Sequence, residues 1–102
     1  MSITLVQREP NRLIRLQGRL TVAASAELKS QLLDGIASGK DLEVDMENAD
    51  EIDLSILQLL WAASRDATER GVAMVSHPSE AATLAARDAG FDRIPGAEET
   101  HV

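Results

Sequence analysis

The stretch "DLEVDMENADEIDLSILQLLWAA", residues 41–63, decides the fold because its hydrophobic period changes from that of a strand to that of a helix. In residues 41–46, Leu42, Val44 and Met46 alternate with three acids, which predicts a strand with one apolar face. A strand covered by helices on both faces would be apolar throughout. From Leu54 onward the apolar residues recur at helical spacing. The stretch therefore predicts a strand, a loop at "ENADEI" and a helix, in a domain of two layers.

The segments before this stretch predict a hairpin and a first helix. "SITLVQRE" and "RLIRLQG" are rich in apolar, strand-forming residues and are separated by Pro10-Asn11, which predicts two strands joined by a turn. From about residue 23 to residue 38 the leucines and Ile36 recur at helical spacing, and Gly39 follows as a stop.

The segments after it continue the alternation of strand and helix. The second helix is predicted from residue 54 to residue 70, ended by Gly71. "VAMVS", residues 72–76, predicts a strand, and "HPSEAATLAARDAGF" predicts a third helix capped by Ser76 or Ser79. The order β-β-α-β-α-β-α predicts an α/β domain with a mixed four-stranded sheet and helices mainly on one face. We expect one domain over residues 1–94 and a loose acidic tail over 95–102.

Composition excludes several classes of function. The net charge is -7 without any basic cluster, which argues against binding to nucleic acid or to an anionic membrane surface. The chain has no cysteine, so disulfides, thiolate catalysis and cysteine-based zinc sites are excluded. No secretion signal and no apolar run of about 18 residues is present. We therefore expect a cytoplasmic protein.

Ser55 is the polar residue of interest at the start of the second helix. If Asp53 is the N-cap, its carboxylate accepts from the backbone N–H of Ser55 or of Ile56. With 100° per residue, Ile56, Leu57 and Leu60 face the sheet, and Ser55 points away from it. The residues predicted to share that outer side with Ser55 are Gln58, Leu59, Ala62 and Asp66.

The outer side of this helix predicts a docking surface next to a modifiable hydroxyl. Leu59 and Ala62 form a small apolar strip that the core does not need, and an acid at position 55 is expected to leave the fold intact. Serine is also common in first turns without any function, and this alternative stays open. Trp61 lies at the edge of the core-facing arc, which indicates the rim of the core rather than an anchor for a partner.

An enzyme or a metal site is the remaining class. Seven acidic residues lie between positions 41 and 53, a density that invites a Mg²⁺ or acid–base interpretation. However, Asp41, Glu43 and Asp45 alternate along one strand face, which is typical of a solvated surface. His77 precedes a proline in a predicted turn, and no nucleophile, phosphate or dinucleotide motif is present. We predict no catalytic residue, no metal and no cofactor.

The segments "GRLTVAASAELKSQLLDGIASGKDLEVDMENADEIDLSILQLLWAA" and "RGVAMVSHPSEAATLAARDAGFDRI" resemble the STAS domain family of bacterial anti-sigma factor antagonists and their relatives. The resemblance covers about residues 3–94 and implies a STAS-like fold. It identifies Ser55 with the residue that a partner kinase phosphorylates, and Asp53 with the acid two residues before it. Leu54 and Ile56 depart from the family pattern, which has a small residue and a glycine at these positions.

The resemblance implies a regulatory binding module rather than an enzyme. Such a protein binds a kinase-like anti-sigma regulator in a partner-switching pathway and is released when Ser55 is phosphorylated. The family also includes cytoplasmic subunits of a phospholipid-transport ABC complex, which dock on its ATPase, and regulators associated with chemotaxis or histidine kinases. In each case the partner is a protein, and the chain is expected to be a monomer or a weak dimer.

Overall fold

The computed structural model describes residues 2–7 and 12–97 as one α/β domain. Its strands are β1 (Ser2–Gln7), β2 (Arg12–Leu20), β3 (Leu42–Ile52) and β4 (Met74–Pro78), and its helices are α1 (Ser25–Ala37), α2 (Leu54–Glu69) and α3 (Glu80–Asp88). A short 3-10 helix, Val22–Ala24, precedes α1. The strands lie in the order β1-β2-β3-β4. β1 is antiparallel to β2, whereas β2, β3 and β4 are parallel. The predicted α/β class is confirmed, and the predicted Pro10-Asn11 turn lies outside the described residues.

One apolar cluster joins the sheet to all three helices. It is formed by inward side chains such as Ile14 of β2, Val44 of β3, Leu28 of α1, Leu60 of α2 and Ala86 of α3, each almost completely buried. Burial of this kind contributes roughly 25 cal/mol per Å² of apolar surface. The helices thus obtain their stability from the same face of β2 and β3.

The opposite face of the sheet carries the acidic residues of β3, as the alternation of residues 41–46 predicts, together with the apolar side chains of Leu13 and Val75. Arg15 and Asp45 lie side by side on β2 and β3 and form an ion pair with an Nε–Oδ2 distance of 3.3 Å. His77 Nε2 lies 2.9 Å from Glu43 Oε1. His77 lies in β4, so its prediction in a turn was wrong.

β3 is longer than the sequence predicts, because the "ENADEI" segment is strand and not loop. The pairing with β2 shifts register between Arg15 and Gln17 and again between Gly18 and Arg19. At each shift β3 contains one residue more than β2, which is the arrangement of a β-bulge. Ala49 and Ile52 consequently turn toward the core, and the simple alternation that identifies a strand is lost.

Residues 95–97 pack against β4, although we predicted a loose tail over residues 95–102; residues 98–102 lie outside the described part of the chain. The buried Ser76 hydroxyl donates to the carbonyl of Pro95 at 2.7 Å, and the Ser76 N–H donates to the carbonyl of Gly96 at 2.9 Å. Ala97 continues this contact as an isolated parallel bridge to Ser76. The predicted domain boundary after residue 94 falls directly before the residues that make this contact. β4 itself begins two residues later than predicted.

The caps of α3 follow from the sequence. The Ser79 hydroxyl accepts from the N–H of Ala82 at 3.0 Å, so Ser79 and not Ser76 is the cap. At the other end, the N–H of Phe91 donates to Ala86 and that of Gly90 to Arg87, which is the Schellman motif. Gly90 has a φ of 94°, a conformation that glycine adopts without strain. This motif sets the path of Phe91 and the residues that follow.

We expect Gly96→Ala to destabilise the domain more than Gly39→Ala. Both glycines have positive φ, so both substitutions strain the backbone. A Cβ at position 96 would lie 2.6 Å from the carbonyl oxygen of Met74, whereas nothing lies within 4 Å of one at position 39. Urea denaturation should show a loss of about 1 kcal/mol for Gly39→Ala and of about 2–4 kcal/mol for Gly96→Ala. Equal losses would contradict the packing of the C-terminal segment on β4.

Candidate partner-docking site

Asp53 connects the two chain segments that leave the C-terminal ends of β2 and β3. Its backbone N–H donates to the carbonyl of Leu20 at 2.9 Å, and its Oδ2 accepts from the N–H of Val22 at 3.1 Å. Asp53 does occupy the N-cap position of α2, but its side chain makes no capping hydrogen bond there. The predicted bond to Ser55 or Ile56 was therefore wrong, because the carboxylate turns toward the neighbouring 3-10 helix instead.

Ser55 is less accessible than its helix position predicts. Its side chain is half-buried, and its Oγ is enclosed without a hydrogen-bond partner among the described residues. The prediction of an exposed hydroxyl was wrong. The outward direction calculated from one helix ignores its neighbours, and α1 packs beside α2.

The other residues predicted to lie beside Ser55 divide into two groups. Gln58 and Ala62 are exposed, as predicted. Leu59 is partly buried and packs against the core cluster, so its prediction as a free apolar residue was wrong. Asp66 is half-buried and pairs with Arg70 at 3.2 Å, one turn later on α2. The predicted apolar strip therefore retains only Ala62 as an exposed apolar side chain.

The exposed apolar side chains at this end of the molecule are those of Leu54 and Val22. Leu54 follows Asp53 and is 52% exposed, whereas its neighbour Ile56 is completely buried. Val22, whose N–H binds Asp53, is 63% exposed. The sequence identifies Leu54 as a departure from the family pattern, but nothing in the sequence places Val22 next to it. The link through Asp53 brings the two together.

Trp61 forms the wall of a second feature on α2. Its ring stacks on Phe91 with the centroids 5.8 Å apart and an angle of 26° between the planes. Trp61, Arg65 and the loop after α3 line a cavity of about 430 Å³. The side chain is half-buried, which agrees with the prediction of a place at the core rim. Its Nε1 is enclosed and finds no acceptor among the described residues.

The acidic residues do not assemble into a metal centre within the described part of the chain. Asp41 Oδ1 accepts from the N–H of Ala73 at 3.3 Å, and Asp45 Oδ1 accepts from the N–H of Glu47 at 3.0 Å. Asp45 and Glu43 also pair with Arg15 and His77. These carboxylates therefore act in the sheet and its connections, where their hydrogen bonds support the backbone.

The family model described as "Mlab, STAS domain" matches residues 4–96. The chain belongs to the STAS domain family. No curated protein matches the sequence at a significant level. Within residues 2–7 and 12–97, no helix is long and apolar enough to cross a membrane.

Solved structures confirm the STAS fold. The anti-sigma factor antagonist SpoIIAA in its unphosphorylated form superimposes with a TM-score of 0.77 at 17% identity, and the match covers 98% of this chain and 89% of that one. The phosphorylated form of SpoIIAA from Bacillus gives 0.73 at 17% identity, covering 98% and 92%. A Thermotoga maritima protein, provisionally described as an anti-sigma factor antagonist, gives 0.77 at 15% identity, covering 96% and 86%.

We expect Ser55→Asp to destabilise this STAS domain and Ser55→Ala to leave its stability unchanged or higher. The enclosed Oγ has no partner in the described structure, so removing it leaves no broken hydrogen bond. A carboxylate at this position must instead be buried or must open the first turn of α2, at a cost of about 1–3 kcal/mol. That cost exceeds the ~0.3–1 kcal/mol that a helix N-terminus gives to an acid.

Urea denaturation of both variants and of Gln58→Asp tests this expectation. Gln58 is exposed on the same helix, and its substitution should change stability by no more than about 0.5 kcal/mol. A wild-type midpoint for Ser55→Asp would show that the Ser55 side chain is accessible after all.

Proposed function

We propose that this chain is a non-catalytic regulatory module that binds one partner protein at the N-terminal end of α2. The docking surface consists of Val22, Leu54, Gln58 and Ala62. Leu59 supports it from below through its contact with the core. Asp66 borders it and is held by Arg70.

The observation that carries this proposal is the exposure of Leu54 and Val22 on either side of Asp53. Of the exposed large apolar side chains, these two lie on segments that the hydrogen bond from Val22 to Asp53 joins, and exposed apolar groups that cluster are typical of protein interaction sites. Both lie on backbone that hydrogen bonds hold in place: the Ile56 and Leu57 N–H groups donate to the Asp53 carbonyl. A surface fixed in this way loses little entropy when a partner binds.

The charge around the docking surface indicates what the partner presents. Asp50 and Glu51 are exposed near the end of β3, just before Asp53, and Arg19 pairs with Glu51 at 3.5 Å, so the net charge of the group is negative. An acidic rim of this kind accelerates encounter with a basic partner surface more than it tightens the complex. The partner is thus expected to offer an apolar recess surrounded by Lys or Arg.

Within this function, the first candidate partner is an anti-sigma factor or similar kinase-like regulator. The similarity to SpoIIAA, which is described as an anti-sigma factor antagonist and is known in a phosphorylated form, supports it. In this proposal, phosphorylation of Ser55 releases the partner. Because Ser55 Oγ is enclosed, the kinase must first open the start of α2, and the phosphate then keeps it open. The partner would thereby lose the ordered backbone that presents Leu54.

The second candidate is permanent docking on the ATPase of a phospholipid-transport ABC complex. The enclosure of Ser55 Oγ favours it, because a constitutive subunit does not require an accessible phosphoacceptor. The docking surface is the same in both cases. The cytoplasmic location, which both candidates require, stays a prediction.

Recovery of the tagged protein from its native cells, followed by mass spectrometry, tests the docking surface. We expect Leu54→Asp to lose the partner that the wild type recovers. Leu84→Asp is the matched control, since Leu84 is 50% exposed on α3 and its substitution adds the same charge elsewhere. Equal recovery with Leu54→Asp, or a wild type that recovers nothing specific, would contradict the proposal.

The peptide that spans Ser55 distinguishes the two candidates in the same experiment. Phosphate on a fraction of the copies, together with a kinase-like or anti-sigma partner, supports partner switching. An ATPase recovered in equal amount with unmodified Ser55 supports permanent assembly.

A further inference from the structure

We propose that the partner's footprint continues along α2 into the cavity between Trp61 and the loop after α3, and that an acidic segment of the partner occupies this cavity. The inference rests on the proposed function and adds a second contact point to it. This second point prefers an acidic part of the partner, whereas the docking surface at Leu54 prefers a basic one. The cavity itself is lined by residues outside the docking surface of the previous section.

The first argument is the continuity of the helix surface. Leu54, Gln58, Trp61 and Arg65 are spaced i, i+4, i+7 and i+11 and therefore lie along one side of α2. Leu54, Gln58 and Arg65 are exposed, and Trp61 is half-buried. A partner that covers Leu54 and extends down the helix reaches the cavity without leaving this side.

The second argument is the size and shape of the cavity. It is an open surface depression of about 430 Å³, which is large enough for a side chain of a bound peptide. Trp61 and Phe91 form a stacked aromatic wall, and the Schellman motif after α3 fixes the position of Phe91. The wall is therefore preformed and offers apolar area to an aliphatic or aromatic side chain.

The third argument is charge. The chain carries a net charge of -7, yet Arg65 and Arg93 line this cavity together with Asp92, and Arg93 is already engaged by another group of the described structure. Arg65 is exposed and forms no ion pair with any other residue that the structure describes. The guanidinium can bind a carboxylate of the partner. The aromatic wall beside it can contact an apolar side chain that is adjacent to this carboxylate in the partner's sequence. The preferred occupant is thus acidic, in contrast to the basic rim expected at Leu54.

The test uses the partner recovered with the wild type, purified and titrated against variants that keep the fold. Arg65→Glu should weaken binding by roughly tenfold or more and should make the affinity less dependent on salt. Arg87→Glu is the control, because Arg87 is an exposed arginine on α3 that does not line the cavity. It reverses the same charge and should change the affinity less than about threefold. Urea denaturation should show the wild-type midpoint for Arg65→Glu and at most a slightly lower midpoint for Arg87→Glu, because an acid in the last turn of α3 opposes the helix dipole.

Trp61 provides a direct readout because it is the only tryptophan of the chain. With 5-fluorotryptophan incorporated, the single fluorine resonance should shift when the partner binds. If Leu54→Asp abolishes binding while Arg65→Glu and the fluorine resonance show no effect, the inference is overturned and the proposed function stands. If Leu54→Asp binds normally, the proposed function fails instead. A shift caused by benzoate alone, without any shift by the partner, would assign the cavity to a small anion and overturn the inference.

Discussion

The parallel pairing of β2 with β3 is the constraint on which the rest of this structure depends. It proceeds through two register shifts and ends with Leu20 opposite Ile52. The ends of both strands are thereby aligned, and the Asp53 N–H reaches the carbonyl of Leu20. Because the Asp53 carboxylate also accepts from the N–H of Val22, Asp53 determines where both the 3-10 helix and α2 begin. The bulges in β3 are therefore part of the site's geometry.

The same arrangement explains why α2 presents some residues and encloses others. α2 packs its apolar side on the sheet and stands beside α1, so the flank with Ser55 and Leu59 is partly covered. The side of α2 that carries Leu54, Gln58 and Arg65 stays in contact with solvent. Trp61 lies on this same exposed side, half-buried, and its ring stacks on Phe91. The candidate docking surface thus lies on the side of α2 that carries Leu54 and Gln58, and not on the side of Ser55 and Leu59 that the sequence predicts.

Because the Ser55 hydroxyl is enclosed, its phosphorylation would change the structure of α2 and not only the charge of the surface. On an exposed first turn, a phosphate of charge about -1.5 to -2 would alter only the surface potential. At a hydroxyl that is enclosed and unpaired among the described residues, the same phosphate requires the first turn of α2 to open, because burying a charge without a partner is far too costly. A switch in this STAS domain would then act through local order at Leu54 and Asp53. A permanent subunit would use the same turn as a rigid element.

The sequence by itself determined the α/β class, the approximate extents of α1 and α2 and the inward residues of α2 and of residues 42–46, because periodicity, glycine stops and capping serines act over one or two turns of chain. Leu42, Val44 and Met46 are buried as their alternation predicts, and Ser79 caps α3. Only the tertiary structure decided the extension of β3 past Met46, the bond from Asp53 to Val22, the packing of Pro95 and Gly96 on Ser76, and the enclosure of Ser55. Each of these depends on a strand, helix or segment distant in sequence. A local sequence pattern does not specify which distant element will pack over it. For that reason the sequence predicts the core residues better than it predicts which surface residues stay exposed.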